Sequence, residues 1–179
     1  DMNVLFQDFV FDRLRNALRG RLEVSAEPTV HLGEQRRLAM RPDLIFRPPG
    51  SPRSSGAVFV GDAKYKLSSG PARMSDYYQL LAYTTALGLD EGVLVYAQHP
   101  TSPSVEAVSD DLIDDPIETE RVHTVYVQNT SKQLHVYRLN VAGTNRELDD
   151  ALKGLADWLS ERAAANDGGR RLASGSAAH

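Results

Sequence analysis

The chain reads Arg41-Pro42-Asp43-Leu44-Ile45-Phe46 and, after a spacer, Val60-Gly61-Asp62-Ala63-Lys64-Tyr65-Lys66. One aspartate opens an apolar run and the other closes one, so each stretch is predicted to form a strand. Residues 48–56 between them are rich in proline, glycine and serine, which favours a turn. The two strands are therefore predicted to pair as a hairpin.

This hairpin would gather two carboxylates and an ammonium group. Strand side chains alternate between faces, so Asp62 and Lys64 project to the same side, and Asp43 would lie across from them. Two carboxylates make a hard, oxygen-rich site suited to Mg²⁺ or Mn²⁺, and the lysine would lie beside a scissile phosphate. Each residue taken singly also fits a strand end, a turn or a solvated lysine. Together they are typical of a metal-dependent phosphodiesterase and are the candidate catalytic residues.

The pattern resembles the PD-(D/E)xK nuclease superfamily. Pro42-Asp43 matches its first element and Asp62-Ala63-Lys64 its second, 19 positions later. Residues 1–10 further resemble the opening helix of the nuclease domain of McrC, the endonuclease subunit of the bacterial modification-dependent restriction system that pairs with the McrB GTPase. Three later segments resemble that family in the same order, at residues 41–45, 62–66 and 76–83. Ordered segments are more specific than one short motif.

The resemblance implies a fold, an activity and a partner. The fold would be α/β (α+β) with a restriction-endonuclease-like αβββαβ core, a central mixed sheet flanked by helices. The activity would be Mg-dependent DNA endonuclease cleavage in a 5-methylcytosine restriction system, with a McrB-like AAA+ GTPase as partner. The backbone carbonyl of Ala63 would be a further metal ligand. Lys64 would orient or deprotonate the attacking water, or stabilise developing charge.

One position departs from the family. The glutamate that often adds an oxygen to the metal shell falls on Gln7, which is neutral but still carries a carbonyl oxygen. The neighbouring Asp8 lies about 100° further round a helix and cannot take its place without a shift. The sequence therefore predicts Gln7 to be a weak metal ligand.

Three further residues are predicted to contact DNA. Gln79 and Tyr83 are four positions apart and share a helix face, in a pattern that resembles the RecB-type nuclease motif. Lys66 lies two residues after Lys64 and would point to the same face. For these residues the open alternatives are a core tyrosine, a surface amide and an edge-strand lysine.

Composition limits the classes of protein to which the chain can belong. The net charge of −4 does not favour DNA binding, but arginines concentrate in the N-terminal half and acidic residues later, so the first half is the predicted nucleic-acid face. Without cysteine, disulfides and thiolate zinc sites are excluded. No apolar run has the length of a membrane span and no secretory signal opens the chain, which favours a cytoplasmic protein without membrane contact. McrC proteins carry a GTPase-binding N-terminal region that is missing here, so an excised domain or a separate subunit is expected.

Periodicity and turn residues predict the remaining elements. Residues 1–165 are expected to form the nuclease domain and 166–179 a disordered tail. Ser75 is the predicted N-cap of a helix over 76–87, and 99–120 is a predicted loop. The predicted elements follow in chain order: a helix at 3–19, strands near 22–25, 28–32, 37–40, 42–47 and 57–65, the helix at 76–87, a strand at 92–96, a hairpin at 122–127 and 134–139, and a last helix capped by Thr144 or Asn145.

Other functions stay open on the sequence. A RecB-like exonuclease domain shares the motif, although the absence of cysteine excludes its iron–sulfur form. A catalytically inactive nuclease fold used for DNA binding or assembly is supported by Gln7 alone. His123 and His135 of the last hairpin could face each other, with packing or a surface position favoured over metal binding. The DNA modification and the oligomeric state are not readable from the sequence.

Overall fold

A computed structural model describes residues 1–26, 28–52, 56–65, 72–98 and 121–175. In this part of the chain an opening helix is followed by five strands, a second helix, three strands and a last helix. None of these helices combines the length and apolarity needed to cross a membrane. The elements are α1 Met2–Ala17, β1 Glu23–Ala26, β2 Val30–Gly33, β3 Arg37–Met40, β4 Leu44–Arg47, β5 Phe59–Lys64, α2 Met74–Ala86, β6 Glu91–Gln98, β7 Val122–Tyr126, β8 Gln133–Asn140 and α3 Asn145–Gly175.

Six strands form one mixed sheet in the order β1-β4-β5-β6-β8-β7. The first three strands are antiparallel neighbours, β5, β6 and β8 run parallel, and β7 returns antiparallel to β8. The predicted mixed sheet is confirmed, as are the hairpins of β4 with β5 and of β7 with β8. Strand β5 lies at the centre and β4 one position nearer the edge, whereas β2 and β3 form a separate two-stranded sheet.

Both faces of the large sheet are covered because its central strands are apolar on both sides. Helices α1 and α3 pack on one face, and α2 packs on the other. Gly92 allows α2 to approach closely, since a Cβ atom there would lie 2.8 Å from Leu80 Cδ1 and 2.9 Å from Thr84 Cγ2. Each buried leucine or phenylalanine in these layers contributes about 1.5–3 kcal/mol. The layers therefore fix α1 and α2 against opposite faces of β5.

Side-chain hydrogen bonds cap the starts of α1 and α3 but not the start of α2. The Asp1 side chain accepts a hydrogen bond from the Asn3 backbone N–H at 2.9 Å and caps α1. The predicted cap at Ser75 is wrong. Helix α2 already begins at Met74, and Arg73 occupies the N-cap without a side-chain hydrogen bond. The packing of α2 on the sheet, rather than a cap, therefore sets where this helix starts.

Helix α3 extends further than predicted. Thr144 and Glu147 form a reciprocal capping box, in which Thr144 N–H donates to Glu147 Oε2 at 2.7 Å and Glu147 N–H donates to Thr144 Oγ1 at 3.3 Å. The helix then continues to Gly175, so residues 166–175 are helical where a disordered tail was predicted. Two adjacent glycines cost about 1 kcal/mol each in a helix, but the alanine, arginine and leucine after them favour it.

The two hairpin histidines do not face each other. His123 pairs with Val136 and His135 with Thr124, so the two imidazoles project to opposite faces of the sheet. His135 is buried, and its ring stacks on Phe59. This confirms a packing position for His135. The predicted loop at 99–120 lies outside the described residues.

Candidate functional site

The β4–β5 register brings the two motif aspartates together. Leu44 pairs with Gly61, and continuing this antiparallel register by one residue sets Asp43 opposite Asp62. Residues directly opposite in such a pair have Cβ atoms about 4.5–5.5 Å apart. Lys64 Nζ lies 2.6 Å from Asp62 Oδ2, as expected for two residues on one face of β5. The structure thus gathers Asp43, Asp62 and Lys64 at one end of the hairpin.

Asp43 accepts hydrogen bonds from two donors and lies close to the negative charge of Asp62. Its Oδ2 accepts hydrogen bonds from the Ala63 backbone N–H at 2.8 Å and from Gln7 Nε2 at 3.0 Å. Burial, followed by the negative charge of Asp62, raises the pKa of Asp43 to about 7. The backbone hydrogen bond and the charge of Lys64 lower this pKa without restoring it. The two carboxylates therefore carry more negative charge than the nearby groups neutralise.

Asp62 and Lys64 form a largely buried ion pair. The side chain of Asp62 is 2% exposed and that of Lys64 19% exposed. Within the described part of the chain, Asp62 Oδ2 has this ion pair but no hydrogen bond of favourable angle. Burial alone would lower the pKa of Lys64, but contact with Asp62 and the charges of Asp43 and Asp76 outweigh it, so the pKa is raised. Lys64 is therefore a stable ammonium in this environment.

Gln7 reaches the site from α1. Its Nε2 donates to Asp43 Oδ2 and, at 3.3 Å, to the backbone carbonyl of Ala63. The amide nitrogen thus lies where two oxygens converge, which is the position that a cation ligated by them would take. A half-turn of the amide would present its carbonyl oxygen instead. Gln7 accordingly touches the site, with its donor side towards the two oxygens.

Helix α2 supplies a second hydrogen-bonded pair. Gln79 Nε2 donates to Tyr83 Oη at 2.7 Å, and Tyr83 Oη donates to the Arg41 carbonyl at 3.3 Å. Burial first, and then the charges of Asp62 and Asp43, raise the pKa of Tyr83, so it is a neutral phenol. Gln79 and Tyr83 therefore share one face of α2, as predicted, and Tyr83 lies close enough to Asp62 and Asp43 to be affected by their charges. Lys66 lies outside the described residues.

Sequence reasoning missed Asp76 and Tyr96. Asp76 is buried in the first turn of α2, where it accepts a hydrogen bond from Tyr96 Oη, and its charge contributes to the raised pKa of Lys64. Tyr96 lies beside Lys64 in the parallel register of β5 and β6. The sequence signal that could have revealed this pair was Tyr96, an aromatic residue with a polar hydroxyl in the otherwise apolar stretch of β6.

The donor set fits a hydrated divalent cation of the hard type. Among the described residues, no group of three or more histidine, cysteine, aspartate or glutamate side chains could hold a metal ion. Two facing carboxylates and the Ala63 carbonyl leave most positions of an octahedral shell to water or phosphate oxygen, as Mg²⁺ prefers. Burial, followed by the charge of Asp62, raises the pKa of Asp43, and both effects favour a cation between the carboxylates.

Comparisons with known proteins identify the family and a similar fold. The model of the family described as "McrBC 5-methylcytosine restriction system component" matches residues 1–97. The fold is similar to that of a chain in the tetradecameric assembly of Thermococcus gammatolerans McrB AAA+ hexamers with bound McrC, with a TM-score of 0.58 and 18% sequence identity. That likeness covers 89% of the present chain and 33% of the other, so the chain spans about a third of the length of its structural neighbour. No curated protein matches the sequence significantly.

Proposed function

The chain belongs to the family of McrBC 5-methylcytosine restriction system components, being of McrC type, and from this premise we propose that it is a Mg²⁺-dependent DNA endonuclease domain. It would hydrolyse phosphodiester bonds in a modification-dependent restriction system. The McrC family is the nuclease subunit of such a system, which supports a nuclease in general. The proposal goes further and specifies the metal and the catalytic residues.

The mutual position of Asp43, Asp62 and Lys64 is the observation that carries the proposal. Two carboxylates placed opposite each other, one with its pKa raised to about 7, are an unfavourable arrangement for a purely structural hairpin. Perturbed carboxylates beside a half-buried lysine are typical of functional sites. The arrangement becomes favourable when a divalent cation neutralises the pair.

Asp43, Asp62 and the carbonyl of Ala63 would hold Mg²⁺ or Mn²⁺. When bound, the metal would neutralise charge on the phosphate and lower the pKa of a ligated water. Lys64 would contribute a fixed positive charge beside the phosphate, because its pKa is raised and loss of its proton is disfavoured. Of the roles left open by the sequence, stabilisation of charge and orientation of water thus agree better with its surroundings than general-base catalysis.

The neutral Gln79 side chain of α2 would meet the substrate rather than the metal. Tyr83 and Gln79 are hydrogen-bonded to each other, and Tyr83 also holds the backbone immediately before Pro42-Asp43. We propose that Gln79 and Lys66 contact the DNA strand that enters the site, while Tyr83, which is only 3% exposed, holds Gln79 in position from the core. A neutral amide can approach phosphate oxygens without repulsion.

The modified base would be recognised elsewhere. A McrB-like AAA+ GTPase is the proposed partner, because the structural neighbour belongs to an assembly of McrB AAA+ hexamers with bound McrC. Site selection would then rest on the partner, and this domain would supply the cutting chemistry.

The test is divalent-metal-dependent nicking of supercoiled plasmid by the purified chain. We expect nicking with Mg²⁺ or Mn²⁺, none in EDTA, and a loss of several orders of magnitude in Asp62→Ala and Lys64→Ala. Asp157→Ala, which removes an exposed carboxylate of α3, is the matched control and should cleave normally. Nicking of circular DNA would exclude an exonuclease, because an exonuclease needs a free DNA end. Full activity in folded Asp62→Ala protein would refute the mechanism.

A catalytically inactive DNA-binding or assembly module is the second candidate. Its support is that the Gln7 amide donates to both Asp43 and the Ala63 carbonyl, at the position that a cation ligated by these oxygens would take. It predicts binding of DNA without metal-dependent nicking under any condition in the same assay. The Asp62→Ala protein would then behave like the parent.

A further inference from the structure

Strands β2 and β3 form an arm separate from the large sheet. The arm pairs Val30 with Met40 and Gly33 with Arg37, and a short 3₁₀ turn over residues 34–36 closes it. Its base packs on the α2 side of the core through Val30 and Met40. A two-stranded sheet is marginal alone, so this contact holds the arm in place. Beyond the base, residues 34–39 are all exposed.

The arm carries unusual backbone strain at its exposed end. Gln35, Arg36 and Leu38 have φ values of 56°, 59° and 53°, a region that L residues seldom occupy. Leucine gains nothing locally from this conformation, and its side chain is 68% exposed. Strain of this kind clusters at ligand-binding segments. The conformation holds an apolar side chain out in solvent, beside arginines.

The charge of the arm is opposite to that of the whole chain. Residues 30–41 contain Arg36, Arg37 and Arg41 against one acidic residue, Glu34, so the arm is positive although the chain has a net charge of −4. All three arginines are exposed, and within the described ranges none of them forms an ion pair. They remain available for an external anion.

The arm is directly continuous with the catalytic candidates. Only Arg41 and Pro42 separate β3 from Asp43, and Tyr83 Oη holds the Arg41 carbonyl at 3.3 Å. Five residue steps from Asp43 to Leu38 span at most about 18 Å. At about 3.4 Å of rise per nucleotide, that is within roughly five nucleotides of a phosphate held at the site.

We propose that the β2–β3 arm binds duplex DNA beside the scissile phosphate, with Arg36, Arg37 and Arg41 on backbone phosphates and Leu38 as an apolar wedge in the minor groove. The inference rests on the proposed nuclease function and adds to it the element that grips the substrate. Arginine is suited to phosphate because its planar guanidinium donates several hydrogen bonds. Apolar side chains that enter the minor groove are a known means of bending a duplex, which would present the strand to the carboxylates.

The first test measures binding of the full chain to a fluorescent 30-base-pair duplex in EDTA, at several salt concentrations. Removing two phosphate contacts with Arg36→Ala/Arg37→Ala should weaken binding roughly tenfold or more and reduce the slope of log K against log salt by about 1.8. Arg146→Ala/Lys153→Ala is the matched control. It removes two exposed cationic side chains of α3, outside the predicted nucleic-acid half of the chain, and should leave duplex affinity nearly unchanged.

The second test separates the wedge from a structural role. Glycine accepts a φ of 53° without strain, so Leu38→Gly should keep or raise Tm while weakening duplex binding by roughly three- to tenfold, without changing the salt slope. A lower Tm with unchanged DNA affinity would assign Leu38 to the fold and overturn the wedge.

The outcomes also distinguish the arm from the nuclease. Arm variants that bind and nick DNA like the parent would overturn this proposal and leave the proposed function standing. A parent chain that neither binds duplex nor nicks plasmid would overturn both.

Discussion

Asp43 and Asp62 face each other across two neighbouring strands, and the single ammonium of Lys64 does not balance them. Without metal, burial and then the charge of Asp62 make the fold bind a proton at Asp43 more tightly than the unfolded chain does, since the pKa of Asp43 moves from 3.8 to about 7. The stability that this group contributes is present below about pH 4 and is lost as the pH rises through about 7. Metal-free protein should consequently be less stable at high pH because of its own site.

Asp43→Asn tests this charge conflict. In EDTA at pH 8 we expect the variant to be more stable than the parent by about 1–2 kcal/mol, or roughly 2–8 °C in Tm, and the difference to vanish near pH 4. Asp8→Asn, an exposed carboxylate of α1, should change neither value. Thermal unfolding across this pH range is the measurement. Lower stability of Asp43→Asn at pH 8 would mean that the aspartate is already neutralised in the fold.

Gln7→Glu should strengthen metal binding. Glutamate replaces an amide donor, which joins Asp43 Oδ2 to the Ala63 carbonyl, with a third negative group. The metal-free variant should be less stable, and Mg²⁺ should bind more tightly because an added carboxylate draws in the cation. Titration calorimetry with Mg²⁺ gives the affinity independently of cleavage, and Asp8→Glu is the control for a change elsewhere on α1. Equal Mg²⁺ affinity of Gln7→Glu and parent would place residue 7 outside the metal shell.

Among the elements, those positioned by apolar pattern were predictable and those positioned by packing were not. Alternation and the proline-rich spacer predicted the β4–β5 hairpin, and the facing aspartates followed from it. The start of α2 was missed because packing on Gly92, rather than Ser75, sets the helix. The orientation of the Gln7 amide and the Asp76–Tyr96 pair depend on contacts between elements distant in sequence. Pattern in one segment carries no information about such contacts.

A buried polar cluster ties β6 and β8 to α3 at the end of β6 remote from Tyr96. Glu91 Oε2 lies 2.9 Å from His135 Nε2 and accepts from Arg162 Nε at 2.9 Å. His135 Nδ1 in turn lies 2.8 Å from Thr124 Oγ1 on β7. Burial alone raises the pKa of Glu91, but hydrogen bonds to His135 and Arg162 outweigh it, so the pKa is lowered. The cluster therefore stabilises the fold while Glu91 is ionised.

Glu91→Gln should destabilise the fold by about 1–3 kcal/mol at pH 7, because two partners lose a charged acceptor. Because the pKa of Glu91 is lower in the folded chain than in the unfolded chain, where it is 4.5, Glu91 stabilises the fold above pH 4.5. This stabilisation is lost as the pH falls through the pKa of Glu91 in the folded chain. The difference between variant and parent should therefore shrink in acid, which urea unfolding at pH 7 and pH 3 measures. Asp157→Asn, in an exposed pair with Arg21, should cost less than about 0.5 kcal/mol. A difference that persists at pH 3 would show that Glu91 acts through packing alone.

At the scale of the whole molecule, charge is segregated along the chain. The net charge is −4, yet arginines are frequent before residue 74, around the candidate site and the β2–β3 arm. The proposed binding of DNA must therefore depend on a local surface, and its affinity should fall steeply with salt. Local charge can hold a duplex at the carboxylates without identifying a sequence.

The isolated chain should cleave weakly and without preference for modified DNA. The described helices and strands include no basic recognition helix of the kind that reads base edges in the major groove, and the proposed arm contacts backbone and minor groove, where the code is degenerate. A methyl group on C5 of cytosine lies in the major groove, outside the reach of such contacts. We therefore expect nicking rates on 5-methylcytosine-containing and unmodified plasmid to agree within roughly twofold.

The comparison uses one plasmid prepared with and without methylation, at 50 and 200 mM salt, with Asp62→Ala protein as the blank. Both substrates should lose activity together as salt rises, because the same phosphate contacts hold them. Under the proposed division of labour, the partner GTPase selects the modified site and this domain supplies the cutting chemistry. A strong preference for methylated DNA shown by this chain by itself would contradict that division, and would require a base-reading surface within the domain.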